Sequence, residues 1–431
     1  MRGIQRGEFR VDLGRKDLHA ERFPDVHALW TSLLGADYVP CSRRVGILYK
    51  GRILEKDRAF KGPLRGLSPA QALKVAAGAL WSQVKPGARA VRTRADYYTL
   101  RYGKPYYDIF VSGFQAKFDG DYPLRAPKEM PRFATLRERV APRARPAGAA
   151  PGSHHPSLGT QQIVDALWRE AQAHGAEFMF EAQATALAIR GGKVASVTIR
   201  APGGMSARQT PAVVAGLPVP ALLGLLTPPV PEALRNAPHE EKALRKSTAL
   251  VYLFADGAPR FPHSWLEVTD PALHMGRVTS YSAWGGRMVP PGKTALGIEY
   301  FAVEGDEVMR LSKDALLELA LAEAAASGLV DRARVRDHLV LQMPRANATT
   351  LFTDWRTPWM QEARGYMRSV EGLYETNRPG MDRASLAGID AAEACMSGRA
   401  MSERSLDDAE APAGAGAAPV PRFARRYVYS S

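Results

Sequence analysis

A glycine-rich turn that opens a helix is the clearest chemical feature of the sequence. Gly372-Leu373-Tyr374 reads as a strand end, Asn377-Arg378-Pro379-Gly380 as a turn, and Ala384 to Met396 as a helix. Such a turn points backbone N–H groups and a helix N-terminus at an anion or at the polar edge of a cofactor. Most turns of this kind are only turns, so the feature alone fixes no activity. Other chemistries lack their residues. Nine histidines are scattered, with no His-Glu-x-x-His pair. Two distant cysteines, Cys41 and Cys395, give neither a disulfide framework nor a cysteine zinc site. Gly191-Gly192-Lys193 lacks the spacing of a phosphate loop and reads as a hairpin turn. The pair Asp407-Asp408 falls in a polar tail.

Charge is the second feature. The 431-residue chain carries a formal +14, and 15 Lys or Arg against three acids fall between Arg43 and Lys104. Trp81, Tyr97, Tyr98, Tyr102, Tyr106 and Tyr107 are interleaved with or flank them. Three readings compete: a solvated face, a rim for a phosphorylated or otherwise anionic small-molecule substrate, and a peripheral contact with an acidic membrane. Nucleic acid is not expected, because no nucleic-acid motif accompanies the charge.

The elements that must position these residues follow from periodicity. Residues 7–14 read as a short strand entering a tight turn, and Pro24 to Leu34 as a helix closed by Gly35. Val45 to Ile53 reads as a hairpin about Lys50-Gly51, and residues 68–83 as a capped helix. Residues 141–156 form a Pro/Gly/Ala-rich linker, where chemistry is expected only if His154 or His155 supplies it. Thr160 to His174 is an amphipathic helix, Ala176 to Ile189 a strand, and Val194 to Arg200 its returning partner. Pro211 to Gly216 reads as a buried strand. Ser247 to Ala255, Ala295 to Val303 and Val335 to Gln342 read as further strands, with a helix from Leu311 to Ser327. After Ser402 the composition is that of a disordered tail. The apolar run from Ala212 to Leu226 is broken by Gly216, Pro218, Pro220 and Gly224, so no membrane span is expected. With no secretory signal evident, the expected location is cytoplasmic.

In this order the segments resemble the flavin-dependent amine-oxidase superfamily, in the branch of protoporphyrinogen-oxidase-like proteins, phytoene-desaturase-like proteins and UDP-galactopyranose mutase. The residues that carry the resemblance are Phe9 to Gly14, Pro24 to Gly35, Leu158 to Ala176, Ala295 to Phe301, Gly372 to Tyr374, and Arg378 to Gly388. The resemblance implies an α/β fold: a Rossmann-like FAD/NAD(P)-binding domain, N-terminally incomplete, with an inserted α+β substrate domain. The flavin-like lobe would take residues 1–40, 157–220 and 365–400, and the substrate lobe 41–140 and 221–364. It implies an FAD-dependent oxidoreductase in which flavin lies between the lobes. Gly14, Arg15 and Lys16 would approach the isoalloxazine or the pyrophosphate, and the backbone near Ala184 the adenine. Arg378, Gly380, Met381 and Asp382 would line the ribityl chain and ring edge. Each has a plainer reading: turn glycines at 14 and 380, solvated charges at 15 and 16, core at 184, a helix N-cap at 382.

Two departures bear on the cofactor. The family opens with a strand, a Gly-x-Gly-x-x-Gly turn, a helix and a ribose-binding acid, and nothing of this kind precedes Phe9. The closing slot reads Glu375-Thr376-Asn377-Arg378 where the family carries Gly-Asp or Gly-Arg. Three explanations stand open: a reading frame begun too late, a decaying remnant, or a flavin-free protein that binds a ligand or partner. The chain as given is expected to hold FAD weakly or not at all. Its substrate and catalytic residues are not named by the sequence.

Overall fold

A computed structural model of the protein describes residues 3–14, 18, 23–41, 43–56, 64–84, 93–119, 154–236, 246–284, 286–303, 305–344, 358–378, 380–399 and 401. The strands in the first half of the chain are β1 (Gly3–Arg6), β2 (Phe9–Asp12), β3 (Tyr38–Pro40), β4 (Val45–Tyr49), β5 (Arg52–Glu55) and β6 (His154–Pro156). Next come β7 (Gln183–Arg190), β8 (Lys193–Ala201), β9 (Gly204–Gln209), β10 (Val213–Ala215) and β11 (Leu226–Thr227). The rest are β12 (Lys246–Asp256), β13 (Trp265–Val268), β14 (Arg277–Ser280), β15 (Lys293–Val303), β16 (Val335–Met343) and β17 (Leu373–Glu375). The helices begin with α1 (Pro24–Leu34), α2 (Pro69–Val84), α3 (Arg94–Tyr102), α4 (Lys104–Phe110), α5 (Ser112–Asp119) and α6 (Gln161–Ala173). They end with α7 (Val219–Leu225), α8 (Glu232–Arg235), α9 (Glu307–Arg310), α10 (Lys313–Ala326), α11 (Pro358–Ser369) and α12 (Met381–Ser397). The mixed α/β architecture is the expected one.

The chain divides into two compact units. The first takes residues 1–16, 39–161 and 245–347; the second takes 17–38, 162–244 and 348–431. Residues 1–16 and 157–161 thus cluster with the large sheet, although the resemblance assigns them to a flavin-like lobe. The reason is a buried network that ties Asp12 and Thr160 to that sheet, described below.

The first unit is built on a seven-stranded mixed sheet of order β16-β12-β15-β14-β13-β4-β5. Long runs of apolar residues in β12 and β15 bury both of their faces. Ala249, Val251, Leu253, Leu296, Ile298 and Tyr300 pack under α10, while Leu250, Tyr252, Phe254 and Ala295 pack on the other face with Val11 of β2. The β4–β5 hairpin turns at Lys50 (φ 50°) and Gly51 (φ 70°), the left-handed pair that a two-residue hairpin needs. Helix α5 sits so close to the sheet that a Cβ on Gly113 would stand 1.9 Å from the Thr269 carbonyl oxygen. Its Lys117 Nζ donates to the carbonyls of Val268, Asp270 and Met275 at 3.0, 2.7 and 3.1 Å. Burial lowers the pKa of this lysine to about 8, against the opposing pull of Glu323 and Asp270.

The second unit holds the sheet β11-β7-β8-β9 and a two-stranded parallel sheet, β10 with β17. Strand β7 starts at Gln183, seven residues later than the expected start, because Glu181 turns the chain at φ 55°. Strand β9 was not expected; every residue in it is exposed, and its apolar content is too low to signal a strand. Strand β10 is shorter than expected and only half buried, with Val214 53% exposed. Its close parallel approach to β17 depends on Gly372, where a Cβ would meet the Pro211 carbonyl oxygen at 2.1 Å. Helices α1, α6 and α12 share a core of Val26, Trp30, Ile163 and Leu386. Arg15, Lys16 and the expected tail beyond residue 402 lie outside the described residues. Among the described residues no helix is long and apolar enough to cross a membrane, and neither Cys41 nor Cys395 is in a disulfide.

Two outcomes test this packing. Gly113→Ala overpacks the α5 contact and is expected to lower the unfolding free energy by about 1–3 kcal/mol, read as a lower urea midpoint. The second concerns His263, whose Nε2 lies 3.1 Å from Glu55. Burial holds its imidazole below the ordinary value of 6.5, with Glu55 acting in the opposite sense. The unfolded chain therefore takes up this proton first, so stability falls as the pH drops below 6.5 toward the lower folded-state value. The gap in urea midpoint between wild type and His263→Gln is expected to narrow from pH 7 to pH 5; a constant gap would contradict this.

Candidate functional site

The turn that follows β2 is the most elaborately held backbone in the first unit. Asp12 is 1% exposed, and its carboxylate must find donors or lose its charge. Oδ1 accepts from the Thr160 backbone N–H at 2.8 Å and the Thr160 hydroxyl at 2.7 Å. Oδ2 lies 3.3 Å from His155 Nε2, in a ring whose Nδ1 is 2.9 Å from the Pro156 carbonyl. Both ring nitrogens face oxygen atoms. His155 lies in the described end of the stretch read as a linker. It packs against Trp284 at 4.8 Å between ring centres, and Trp284 stacks on Trp265.

The backbone of the same turn is gripped by two phenols. The Tyr252 and Tyr281 hydroxyls each donate to the Asp12 carbonyl at 2.8 Å, and the Gly14 N–H donates to the Tyr252 oxygen at 3.1 Å. Burial pushes both hydroxyls well above the ordinary tyrosine value, which keeps them protonated and donating. The two rings fit because position 297, opposite Tyr252 in the β12–β15 ladder, is glycine. A Cβ there would stand 2.9 Å from the Tyr281 ring and 3.3 Å from that of Tyr252.

Gly14 itself has φ +70°, and a Cβ on it would come 4.0 Å from the Glu299 carboxylate. Glu299 pairs with Arg277 at 3.0 Å, and both side chains are largely buried. The Arg277 guanidinium lies over the rings of Phe114 and Phe301, at 5.7 and 5.1 Å. The result is a glycine turn held by hydrogen bonds, with a carboxylate beside it. Tyr252, Tyr281, Glu299 and Arg277 were not singled out by sequence reasoning, and His155 was named only as a possible exception within a linker. Glu299 was detectable, as a lone acid inside the apolar run Ala295 to Phe301.

The other expected contacts fall in the second unit. Ala184 is paired with Ile199 in the β7–β8 ladder. Arg378, Gly380, Met381 and Asp382 lie together where β17 passes into α12. Gly380 caps α12 at φ +86°, with no side-chain cap hydrogen bond and nothing within 4 Å of a Cβ placed there. Asp382 is not the N-cap, contrary to its plainer reading. It lies within the first turn, buried, where a carboxylate complements the helix dipole. The Arg378 guanidinium is committed to Glu375, at 2.6 Å. The structure therefore places Gly14 in one unit and the remaining described contacts in the other.

No protein-family model and no curated protein matches the sequence. Solved structures do match the fold. A reduced UDP-galactopyranose mutase superposes with a TM-score of 0.69 at 15% identity, over 94% of this chain and 89% of that one. A protoporphyrinogen-oxidase-like protein from Exiguobacterium sp. 255-15 gives 0.62 at 15% identity, over 92% and 90%. A wild-type putrescine oxidase bound to putrescine gives 0.55 at 11% identity, over 91% and 90%. The chain shares its α/β fold with these solved structures, the fold class that the resemblance implied.

The hydroxyl grip on Asp12 is open to test. Tyr252→Phe and Tyr281→Phe are each expected to cost about 1–3 kcal/mol of stability, because a buried acceptor loses a donor. The double variant should depart from additivity, since both hydroxyls serve one carbonyl. Urea unfolding of the three variants measures this; wild-type midpoints throughout would contradict it.

Proposed function

We propose that the protein is an FAD-dependent oxidoreductase of the amine-oxidase type, with the Gly380 start of α12 as a principal cofactor contact. The observation that carries this reading is that α12 begins without a side-chain cap and with open space at Gly380, in a chain with this fold. Uncapped N–H groups at the start of a 17-residue helix suit an acceptor oxygen of the flavin ring or ribityl chain. Gly14, with positive φ and no side chain, suits a second backbone approach. The start of α12 fits a flavin, and Gly14 is a separate candidate contact within the first unit. The Gly-x-Gly-x-x-Gly turn of the amine-oxidase superfamily does not occur in this sequence.

Flavin, when bound, would accept the electron pair from the substrate. The chain's own residues do the rest. Tyr252 and Tyr281 fix the Gly14 backbone, and Arg277 fixes the Glu299 carboxylate beside it, where it can accept a hydrogen bond. Met381 and Asp382 shape the mouth of α12, and the Ala184 backbone and Arg378 are further proposed contacts. The substrate is proposed to be anionic, drawn by the basic segment from Arg43 to Lys104. Part of that charge is spent internally, Arg44 on Glu55 and Lys104 on Asp108.

Titration of the purified protein into FAD, followed by quenching of flavin fluorescence, tests the reading. Saturable quenching is expected, weaker than submicromolar. Gly380→Val, which puts a branched side chain at positive φ, should weaken it at least about tenfold, or 1.4 kcal/mol. Absence of saturable quenching up to about 100 μM FAD would overturn the proposal and favour a flavin-free, ligand-binding protein.

A further inference from the structure

The second unit contains a cavity of about 410 Å³ on the flank of β17, bounded by α11 and by the C-terminal end of α12. That volume suits a small metabolite. At its base three side chains share one charge network. Arg364, Glu375 and Arg378 have side chains only 7%, 5% and 4% exposed. Glu375 Oε2 receives both guanidinium groups, from Arg364 Nε at 3.2 Å and from Arg378 Nη1 at 2.6 Å.

This geometry is lopsided. One carboxylate oxygen serves two arginines, while Glu375 Oε1 and Arg364 Nη1 are buried without a hydrogen-bond partner among the described residues. Groups in that condition are costly, and more so when charged. The charge is also unbalanced. Four arginines line the cavity, at 364, 368, 378 and 399, against Glu371 and Glu375. Glu371 is itself drawn to Lys193 at 2.8 Å. Burial and the neighbouring Arg378 and Arg368 weaken the hold of Arg364 on its proton, while Glu375 opposes them. The remaining walls include Met367, Leu373 and Tyr374, which offer an apolar surface.

We propose that this cavity binds a small organic oxyanion, with its charged head on Arg364 and its apolar body against Met367 and Leu373. An oxyanion supplies the acceptor that Arg364 Nη1 needs, and the planar guanidinium suits a phosphate or a carboxylate equally. A protonated oxygen on the same head would donate to Glu375 Oε1. The proposal does not rest on the flavin reading: its head group sits on Arg364, and of the proposed flavin contacts only Arg378 borders the cavity.

Cys395 lines the same cavity and is an exposed free thiol, so it reports on occupancy. The full chain is treated with N-ethylmaleimide with and without phenyl phosphate, benzoate or inorganic phosphate, at matched ionic strength, and modification is followed by mass spectrometry. Cys41 is the internal control. Phenyl phosphate or benzoate is expected to slow alkylation of Cys395 several-fold and leave Cys41 unchanged; whichever protects more identifies the head group. Inorganic phosphate should protect less, since it lacks the apolar body. Calorimetric titration with the better probe should show affinity reduced at least about tenfold in Arg364→Lys, which keeps the charge and loses the fork. Should that variant fail to fold, Arg399→Glu at the exposed rim is expected to weaken binding in the same direction. No protection of Cys395 by either organic anion, or equal affinity in wild type and both variants, would overturn the proposal.

Discussion

A carboxylate taken out of water must be met by donors, and the burial of Asp12 organises the first unit around that requirement. Its side chain recruits Thr160 and His155, and its carbonyl recruits Tyr252 and Tyr281. Three segments distant in sequence are thereby fixed to one short strand. The constraint propagates. The tyrosines need room over β15, which makes position 297 a glycine, and the 154–161 segment needs a close seat. That seat is provided where Gly286 lies against Ser157, a Cβ there falling 2.3 Å from the Ser157 carbonyl oxygen. Small residues at these places follow from a polar network above them, and apolar packing alone would not demand them.

The two units treat buried charge differently. The Asp12 network leaves its carboxylate well supplied with donors, so it acts as a brace. The Arg364–Glu375–Arg378 cluster leaves both a donor and an acceptor unspent at the edge of a cavity. Buried ion pairs add little net stability when compared with apolar packing, and an incompletely satisfied one adds less. This contrast is why the brace is read as structural and the cavity cluster as a binding site. Neither follows from the fold, which hosts many activities.

Local signals in the sequence were strong where a few consecutive residues decide the outcome. The helix from Pro24 to Leu34, closed by Gly35, and the hairpin at Lys50-Gly51 are set by fixed dihedral preferences. Strands β12 and β15 were legible as apolar runs, and the order of segments implied the α/β fold. The candidate site was less legible, because its contacts are remote. Thr160 lies 148 positions from Asp12, and Tyr252 lies 240. A tyrosine in an apolar strand looks like core until the carbonyl beneath its hydroxyl is known. His155 was obscured by its surroundings of Pro, Gly and Ala, which carry no periodicity. The weak marks of β9 and the late start of β7 belong to the same class, where exposed polar residues and one left-handed Glu181 override the pattern.

The central proposal is that the uncapped start of α12 receives a flavin. Hydrogen–deuterium exchange of the purified chain, with and without saturating FAD, tests this most directly. Slowed exchange is expected in peptides covering residues 376–385. Unchanged exchange there, or protection appearing only elsewhere in the chain, would contradict the proposal.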